Sequence, residues 1–212
     1  MHAMFGSYGM PQPGRMMVFV DGENLVLRYQ AMVEKGWVPR DDVSHLRDIY
    51  AWTKGSVQPG LNQVIRATYY TYASGDSAAL MKHREAIKNL EFMQFRQPEE
   101  MGPRKWTTAP KLHQNLHACV FHKPNRSRSG KGVDIQMTID ILTQVHMDNL
   151  DSVYLVSGDG DYKPVLDEAI RHGKRVYVAA LSDGLNRDLR TTADEFIDLD
   201  YRYFTAMPEG SG

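Results

Sequence analysis

The 212-residue sequence predicts an α/β fold in which helices flank a mostly parallel central sheet. Two observations predict it. Short apolar runs typical of buried parallel strands alternate with segments of helical periodicity. Two of these runs end in acidic glycine turns, directly after Val20 and shortly after Val156. Alternating strands and helices indicate βαβ units, whose right-handed crossovers bring the carboxyl ends of the strands to one edge of the sheet.

Apolar runs rich in β-branched and aromatic residues predict strands at residues 16–20, 63–72, 91–96, 152–156, 175–180 and 196–199. Apolar residues at helical spacing predict helices at residues 24–34, 41–52, 76–90, 135–147, 162–171 and 186–192. Asp134 stands where the N-cap of its helix is expected, and Gly173 follows a helix end.

We expect one domain over residues 16–204, with a flexible N-terminal arm at residues 1–15 and a flexible tail at residues 205–212. Both ends combine glycine, proline and small polar residues without periodicity. Residues 97–132 concentrate prolines and basic side chains, and we interpret them as a basic insert of mobile loops.

The composition excludes several classes of protein. Lys and Arg total 25 and Asp and Glu total 26, so the net charge of -1 argues against a polycationic coat for nucleic acid. The single cysteine excludes an internal disulfide and a multi-cysteine zinc site. The longest apolar run is far shorter than the roughly 20 residues of a membrane span. No basic-then-apolar signal pattern is present. We therefore expect a cytoplasmic protein without a membrane segment.

Four aspartates are predicted to share one edge of the sheet: Asp21, Asp134, Asp159 and Asp161. A single Asp at a turn or before a helix is usually a cap. Four together repel one another, so either some are protonated or a divalent cation neutralises them. Oxygen ligands suit Mg²⁺ or Mn²⁺, either of which can polarise a phosphoryl oxygen. The edge therefore predicts a phosphoester substrate.

A second group of potential ligands lies inside the insert and comprises His113, His117, Cys119 and His122. In a helix, His113 and His117 would share a face that could bind a transition metal. In a strand, His117 and His122 would lie on opposite faces. We favour partly exposed histidines without a metal.

Four segments in order resemble the NYN domains, the PIN-like nuclease group that includes the bacterial LabA-like proteins. The opening signature is residues 18–24 (VFVDGEN), and the second motif is residues 131–135 (KGVDI), followed by Asp140. Residues 156–162 (VSGDGDY) resemble the third motif, which more often ends in Phe than in Tyr162. Residues 173–176 (GKRV) and 189–196 (LRTTADEF) are similar to the closing segments. The resemblance implies a PIN-like (Rossmannoid) three-layer sandwich.

The resemblance also implies roles for the acidic residues. Asp21, Asp134 and Asp159 would be metal-binding carboxylates, and Asp161 would be a fourth ligand or lie just outside the ligand shell. Asn24 would position a metal-bound water or a phosphate. In related nucleases, a metal-activated water hydrolyses an RNA phosphodiester.

Further residues would then contact the substrate. By the same resemblance, Ser157 would hydrogen-bond a metal ligand or the phosphate. Basic side chains leading into Asp134 would neutralise the RNA backbone, and single-stranded RNA could stack on Trp106 or Phe121. These basic residues are Lys123, Arg126, Arg128 and Lys131.

The leading hypothesis is a Mg²⁺- or Mn²⁺-dependent ribonuclease acting on single-stranded or structured RNA. The alternative is an RNA-binding regulatory protein with weak or lost catalysis. A haloacid-dehalogenase-type phosphohydrolase ranks low, because Glu23 stands where that family needs a second Asp. Related domains can self-associate, so a homodimer is a further expectation, although no coiled-coil pattern requires it.

Overall fold

A computed structural model of the protein describes residues 13–95, 111–122 and 132–206. In chain order the strands are β1 (Arg15–Asp21), β2 (Val38–Pro39), β3 (Ser44–Leu46), β4 (Tyr50–Trp52), β5 (Gln63–Ala73), β6 (Glu91–Phe95), β7 (Lys111–Asn115), β8 (His117–His122), β9 (Ser152–Val156), β10 (Arg175–Ala180), β11 (Glu195–Asp198) and β12 (Phe204–Ala206). The α-helices are α1 (Gly22–Glu34), α2 (Ser77–Lys88), α3 (Gly132–His146), α4 (Lys163–Arg171), α5 (Arg187–Thr192) and α6 (Asp200–Tyr203).

The central sheet has six strands in the order β11-β10-β9-β1-β5-β8, and every neighbouring pair is parallel. This confirms the predicted fold class. The chain moves outward from β1 in one direction through β5 and β8, and in the other direction through β9, β10 and β11. The strand order therefore switches between β1 and β9, where ligands of open parallel sheets usually bind.

Helices cover both faces of the sheet, because successive side chains of a strand point to opposite faces. On β1, Met16 and Val18 pack with residues of α1 and α2 in one buried cluster. Met17 and Phe19 pack with residues of α3 and α4 in a second cluster on the other face. Each fully buried aliphatic side chain contributes about 1.5–3 kcal/mol to stability. The result is a three-layer sandwich.

The helix predicted at residues 41–52 is wrong. This segment forms the antiparallel hairpin β3–β4, in which Leu46 pairs with Tyr50. Asp48 adopts a positive φ of 58° at the turn, which a helix does not accommodate. Trp52 is buried and donates its Nε1 hydrogen to the carbonyl of Glu91 at 2.9 Å. Tertiary packing of the aromatic strand β4 overrides the helical spacing of the apolar residues.

The interpretation of residues 97–132 as loops is wrong for residues 111–122. These residues form β7, which pairs with β6, and β8, which is an edge strand of the central sheet. Val120 is buried, while His117 and His122 are exposed at the two ends of β8. The helical alternative for His113 and His117 is therefore excluded. The prolines that indicated loops lie outside residues 111–122.

Helix α3 begins two residues before Asp134, so the predicted N-cap role of Asp134 is wrong. The Tyr72 hydroxyl accepts a hydrogen bond from the Val133 N–H at 2.8 Å, which satisfies one of the unpaired donors of the first turn. Arg15 belongs to β1 and Thr205 to β12, so the domain extends slightly beyond the predicted limits. Among the described helices, none has the length and apolar character needed to cross a membrane.

Helix α1 begins where β1 ends, and Gly22 makes this close connection. A β-carbon at Gly22 would lie 2.0 Å from Cε1 of Tyr69. Tyr69 is fully buried and packs edge-on against Trp52, with ring centroids 6.0 Å apart. The ring cannot move away without disturbing the core, so the sequence needs glycine directly after Asp21.

We expect Gly22→Ala to lower the free energy of unfolding by about 1–3 kcal/mol, because the new methyl group overpacks the core. Gly132→Ala is a matched control. Gly132 is also the first residue of a helix, but the nearest atom to its added β-carbon, the Tyr72 hydroxyl oxygen, is 3.4 Å away. The control should stay within about 0.5 kcal/mol of the wild type. Urea unfolding measures both, and equal stabilities of the two variants would contradict the close approach to Tyr69.

Candidate metal centre

The candidate site begins with the carboxylate of Asp21, the last residue of β1. Its side chain is only 3% exposed. Asp21 is the N-cap of α1 and accepts a hydrogen bond from the Asn24 N–H at 3.0 Å. The hydroxyl of Ser157 donates to the other carboxylate oxygen, also at 3.0 Å. Two neighbouring elements therefore hold this buried acid in one orientation.

The turn after β9 brings two further carboxylates to the same edge. The Asp159 N–H donates to the Ser157 hydroxyl at 3.1 Å, so Ser157 links Asp21 to this turn. Asp159 in turn accepts from the Asp161 N–H at 3.0 Å and caps a short 3-10 helix. Gly160 lies close to Asn186, since a β-carbon there would be 2.3 Å from the Asn186 Nδ2. The tight turn thus depends on glycine.

Asp134 reaches the site from the first turn of α3. The hydroxyl of Tyr162 donates to its Oδ1 at 3.2 Å. Tyr162 itself is buried between α3 and the sheet. This hydrogen bond fixes the carboxylate of Asp134 and ties α3 to the turn after β9.

Electrostatic repulsion and burial shift the ionisation of these groups. Burial raises the pKa of Asp21 to about 7, against the hydrogen bonds from Asn24 and Ser157, and the charges of Asp134 and Asp159 raise it further. Partial burial also raises the pKa of Asp134, with additional repulsion from Asp159, Glu23 and Asp161. The pKa of Tyr162 is raised by burial and by the surrounding carboxylates. The carboxylates therefore interact electrostatically and form one acidic cluster, which comprises Asp21, Asp134, Asp159 and Asp161.

The acidic cluster offers the type of ligand atom that divalent cations prefer, but its carboxylate oxygens are not gathered as in a closed metal site. Among the described residues, the one group with three potential ligand atoms within 4.8 Å of one another lies at the ends of α3 and α4. No salt bridge within residues 13–95, 111–122 and 132–206 neutralises Asp21, Asp134, Asp159 or Asp161. Burying a carboxylate without a counter-charge costs free energy even where hydrogen bonds compensate part of it, and this cost is why the pKa of Asp21 is raised. The ligand atoms are all carboxylate oxygens, which match the preference of Mg²⁺ and Mn²⁺.

Asn24 and Ser157, which were also predicted as site residues, make hydrogen bonds that connect the elements around the carboxylates. Asn24 accepts a hydrogen bond from the Gly158 N–H at 3.3 Å through Oδ1, so it joins α1 to the turn after β9. Its Nδ2 group carries two hydrogens that can serve a phosphate or water. Ser157 was predicted to contact substrate or a metal ligand. Ser157 is 2% exposed and donates to Asp21, so the structure shows it orienting that carboxylate.

Asp140 does not join the acidic cluster. It accepts hydrogen bonds from the Tyr70 hydroxyl at 2.7 Å and from Gln136 at 2.8 Å. The bond to Tyr70 ties α3 to β5, the strand beside β1. In this chain Asp140 therefore anchors the helix that carries Asp134.

The predicted substrate contacts of the insert lie outside the described residues, and this applies to Lys123, Arg126, Arg128 and Lys131 as well as Trp106. Phe121 lies on β8, is partly buried, and packs against Tyr72 with ring centroids 6.1 Å apart. Cys119 is a half-buried free thiol on the same strand.

Sequence reasoning missed the two tyrosines that position α3. Tyr162 bonds to Asp134, and Tyr72 bonds to the start of the same helix. One signal was available for Tyr162: related sequences more often carry Phe there, and Tyr adds the hydroxyl that this hydrogen bond uses. Tyr72 gave no such signal, because its partner is distant in sequence.

A cleft of about 600 Å³ opens beside the acidic cluster. Glu23 and Tyr72 line it and connect it to the cluster, and Arg47 and His83 add basic or polar groups. Its apolar lining comes from Leu27, Leu46 and Ile49. The cleft is large enough for a small part of an extended ligand.

Comparisons with known proteins agree with the fold and the motifs. The NYN domain profile matches residues 15–200. The chain is 25% identical over 203 residues to the low amplitude and bright protein LabA of Synechococcus elongatus, covering 93% of this chain and 91% of LabA. It is 31% identical over 71 residues to an uncharacterised protein of Methanocaldococcus jannaschii, covering 34% of this chain and 30% of that protein.

A crystal structure of a protein of unknown function from Vibrio parahaemolyticus has the same fold. The TM-score is 0.58 at 18% identity, and the match covers 93% of this chain and 99% of the other. The NYN domain belongs to the PIN-like nuclease superfamily. The profile match spans the acidic residues of both strand ends and of α3, so the chain belongs to the NYN domain family.

Proposed function

We propose that the protein is a metal-dependent ribonuclease that hydrolyses RNA phosphodiester bonds. The observation that carries the proposal is the acidic cluster, in which a buried Asp21 is held beside Asp134 and Asp159. A protein that only bound RNA would gain nothing from carboxylates that repel the phosphate backbone. Carboxylates do serve a nuclease, because they bind the metal that its chemistry needs.

In this proposal, Asp21, Asp134, Asp159 and Asp161 hold Mg²⁺ or Mn²⁺. When bound, such an ion would supply the positive charge that polarises a phosphoryl oxygen and makes a water molecule more acidic. The chain's own residues prepare the ligands. The Ser157 hydroxyl and the Asn24 N–H hold the carboxylate of Asp21 in place.

Two further side chains position Asp134 and the turn after β9. The Tyr162 hydroxyl directs the carboxylate of Asp134. The Asn24 side chain keeps the turn after β9 close to α1, and its Nδ2 group would donate to a phosphate oxygen. Orientation of this kind matters because small misplacements of reacting groups reduce catalytic rates strongly.

The RNA would approach along the cleft next to the cluster. Arg47 is exposed at the edge of that cleft, 4.0 Å from the carboxylate of Asp48, and would exchange this weak ion pair for a phosphate, while the apolar lining would contact a base. Lys123, Arg126, Arg128 and Lys131 precede α3 directly in sequence and would add positive charge next to Asp134. We further propose a cytoplasmic location, since the only cysteine, Cys119, has no partner for an internal disulfide.

We expect Asp159→Asn to reduce metal-dependent cleavage of labelled single-stranded RNA at least about a hundredfold, equivalent to about 2.7 kcal/mol of transition-state stabilisation. The amide keeps an acceptor for the Asp161 N–H, so the turn should stay folded. Asp167→Asn is the matched control, because it removes the same charge from a carboxylate that pairs with Lys163 on α4.

The assay compares Mg²⁺, Mn²⁺ and EDTA, and fluorescence anisotropy follows RNA binding in parallel. Equal cleavage by the wild type and Asp159→Asn, or cleavage in EDTA, would contradict the proposed mechanism. A wild-type protein that binds RNA without cutting it under any metal would instead be an RNA-binding regulator, the alternative function. Such binding should survive Asp159→Asn and weaken with salt.

The shift of Asp21 predicts how stability depends on pH in EDTA. Its pKa is about 7 in the folded state, above the ordinary value of about 3.9. The folded protein therefore binds the proton more tightly, and its free energy of unfolding falls as the pH rises from about 4 to about 7. The full cost above that window is about 4 kcal/mol.

We expect Asp21→Asn to remove this cost. The variant should be more stable than the wild type by a few kcal/mol at about pH 8.5, and the difference should shrink towards about pH 4. Asp76→Asn is the control, because Asp76 caps α2 in the same way but is exposed. Urea unfolding in EDTA measures both. A wild type as stable as Asp21→Asn at high pH would show that the acid is not strained.

A further inference from the structure

A second cluster of metal-ligating side chains lies away from the acidic site. His146 ends α3, and Glu168 and His172 lie at the end of α4. One potential ligand atom from each residue falls within 4.8 Å of the other two. We propose that these three residues form a binding site for Zn²⁺ that is separate from the acidic cluster.

The geometry already resembles that of a zinc site. Nε2 of His172 lies 3.1 Å from Oε1 of Glu168, and Nε2 of His146 lies 3.6 Å from the same oxygen. In a tetrahedral site with metal–ligand bonds of about 2.0–2.2 Å, neighbouring donor atoms are about 3.3–3.5 Å apart. An ion can therefore enter between the three atoms after small side-chain rotations. The exposure of both histidines leaves a fourth position for water.

The local sequence and the helix ends favour a cation at this place. Glu168 and His172 are four residues apart, so they lie on one face of the helix, one turn from each other. His146 closes the site from the neighbouring helix, and its ring lies 4.7 Å from that of His172. Both helices end here, and the partial negative charge of helix C-termini attracts cations.

Arg171 prepares the carboxylate of Glu168 for this role. Its guanidinium pairs with Oε2, which leaves Oε1 facing the two imidazoles. Hydrogen bonds from outer residues commonly orient metal-ligating carboxylates in this way. Without a metal, the two imidazoles lie within hydrogen-bonding or ion-pairing distance of Glu168, and Zn²⁺ would replace these contacts with metal–ligand bonds.

The donor types separate the two sites chemically. Two imidazole nitrogens and one carboxylate suit Zn²⁺, while the all-carboxylate cluster around Asp21 suits Mg²⁺ or Mn²⁺. The sites are also far apart. Asp134 and His146 lie at opposite ends of α3, about 18 Å from each other along the helix axis. Zinc would join the ends of α3 and α4, the two helices whose other ends adjoin the acidic cluster.

We expect untagged protein in millimolar Mg²⁺ to bind one equivalent of Zn²⁺ by isothermal titration calorimetry. The parent protein for this titration is the Asp159→Asn variant, so that the acidic cluster does not compete for the ion. Each histidine substitution is made in that parent. His146→Gln and His172→Gln should each weaken binding at least about tenfold. His117→Gln, at an exposed histidine of β8, is the matched control and should bind like its parent.

Two further measurements keep the result interpretable. Zinc at about a hundred times its Kd should raise the unfolding temperature of the parent by about 5–11 °C, and the same zinc concentration should raise that of each histidine variant by at most about half as much. Co²⁺ in place of Zn²⁺ should give the visible absorption of a tetrahedral complex, and both variants should lose it. The unfolding temperatures without zinc show whether each variant folds.

Equal zinc affinity in the parent and in both variants would overturn the proposal, as would the absence of zinc binding in the parent. The cluster would then be a hydrogen-bonded contact only. This outcome is independent of the proposed nuclease activity, because none of these measurements uses RNA cleavage.

Discussion

The structure depends on one costly arrangement, the burial of Asp21 beside other carboxylates between β1 and β9. A single hydroxyl makes this possible, because Ser157 donates to Asp21 and accepts from the Asp159 N–H. The N-terminus of α1 adds a second hydrogen bond. Even so, the pKa of Asp21 stays near 7. A structure that retains this strain has a use for a counter-charge, and under the proposed function a divalent metal ion would supply it.

Much of the remaining fold positions the other carboxylates beside Asp21. The parallel sheet brings the ends of β1 and β9 together, and Gly22 and Gly160 allow the tight turns that follow. Helix α3 adds Asp134 from outside the sheet and needs tyrosines from two other elements to hold it. The far ends of α3 and α4 carry the histidine and glutamate cluster, so the same helix pair would connect the two proposed metal sites.

The parallel sheet and the acidic edge could be predicted from the sequence, because buried strands and acidic turns have strong local signals. The helix at residues 41–52 could not be excluded, since its spacing fits a helix and only the packing of Trp52 favours a strand. Asp134 was placed at the correct edge but in the wrong helical position. The role of Tyr162 and the link from His146 to α4 depend on contacts distant in sequence.

The net charge of the chain is less informative about function than the positions of its charged residues. A value of -1 argued against nucleic acid, yet residues 97–132 carry seven Lys and Arg against two Glu, and four Asp lie together at one edge of the sheet. The central claim is that the acidic edge binds a metal. The most direct test is a crystal structure of the protein soaked in Mn²⁺, with anomalous scattering to locate the ion. We expect Mn²⁺ between Asp21, Asp134 and Asp159. Ordered carboxylates without an ion at saturating Mn²⁺ would contradict the account.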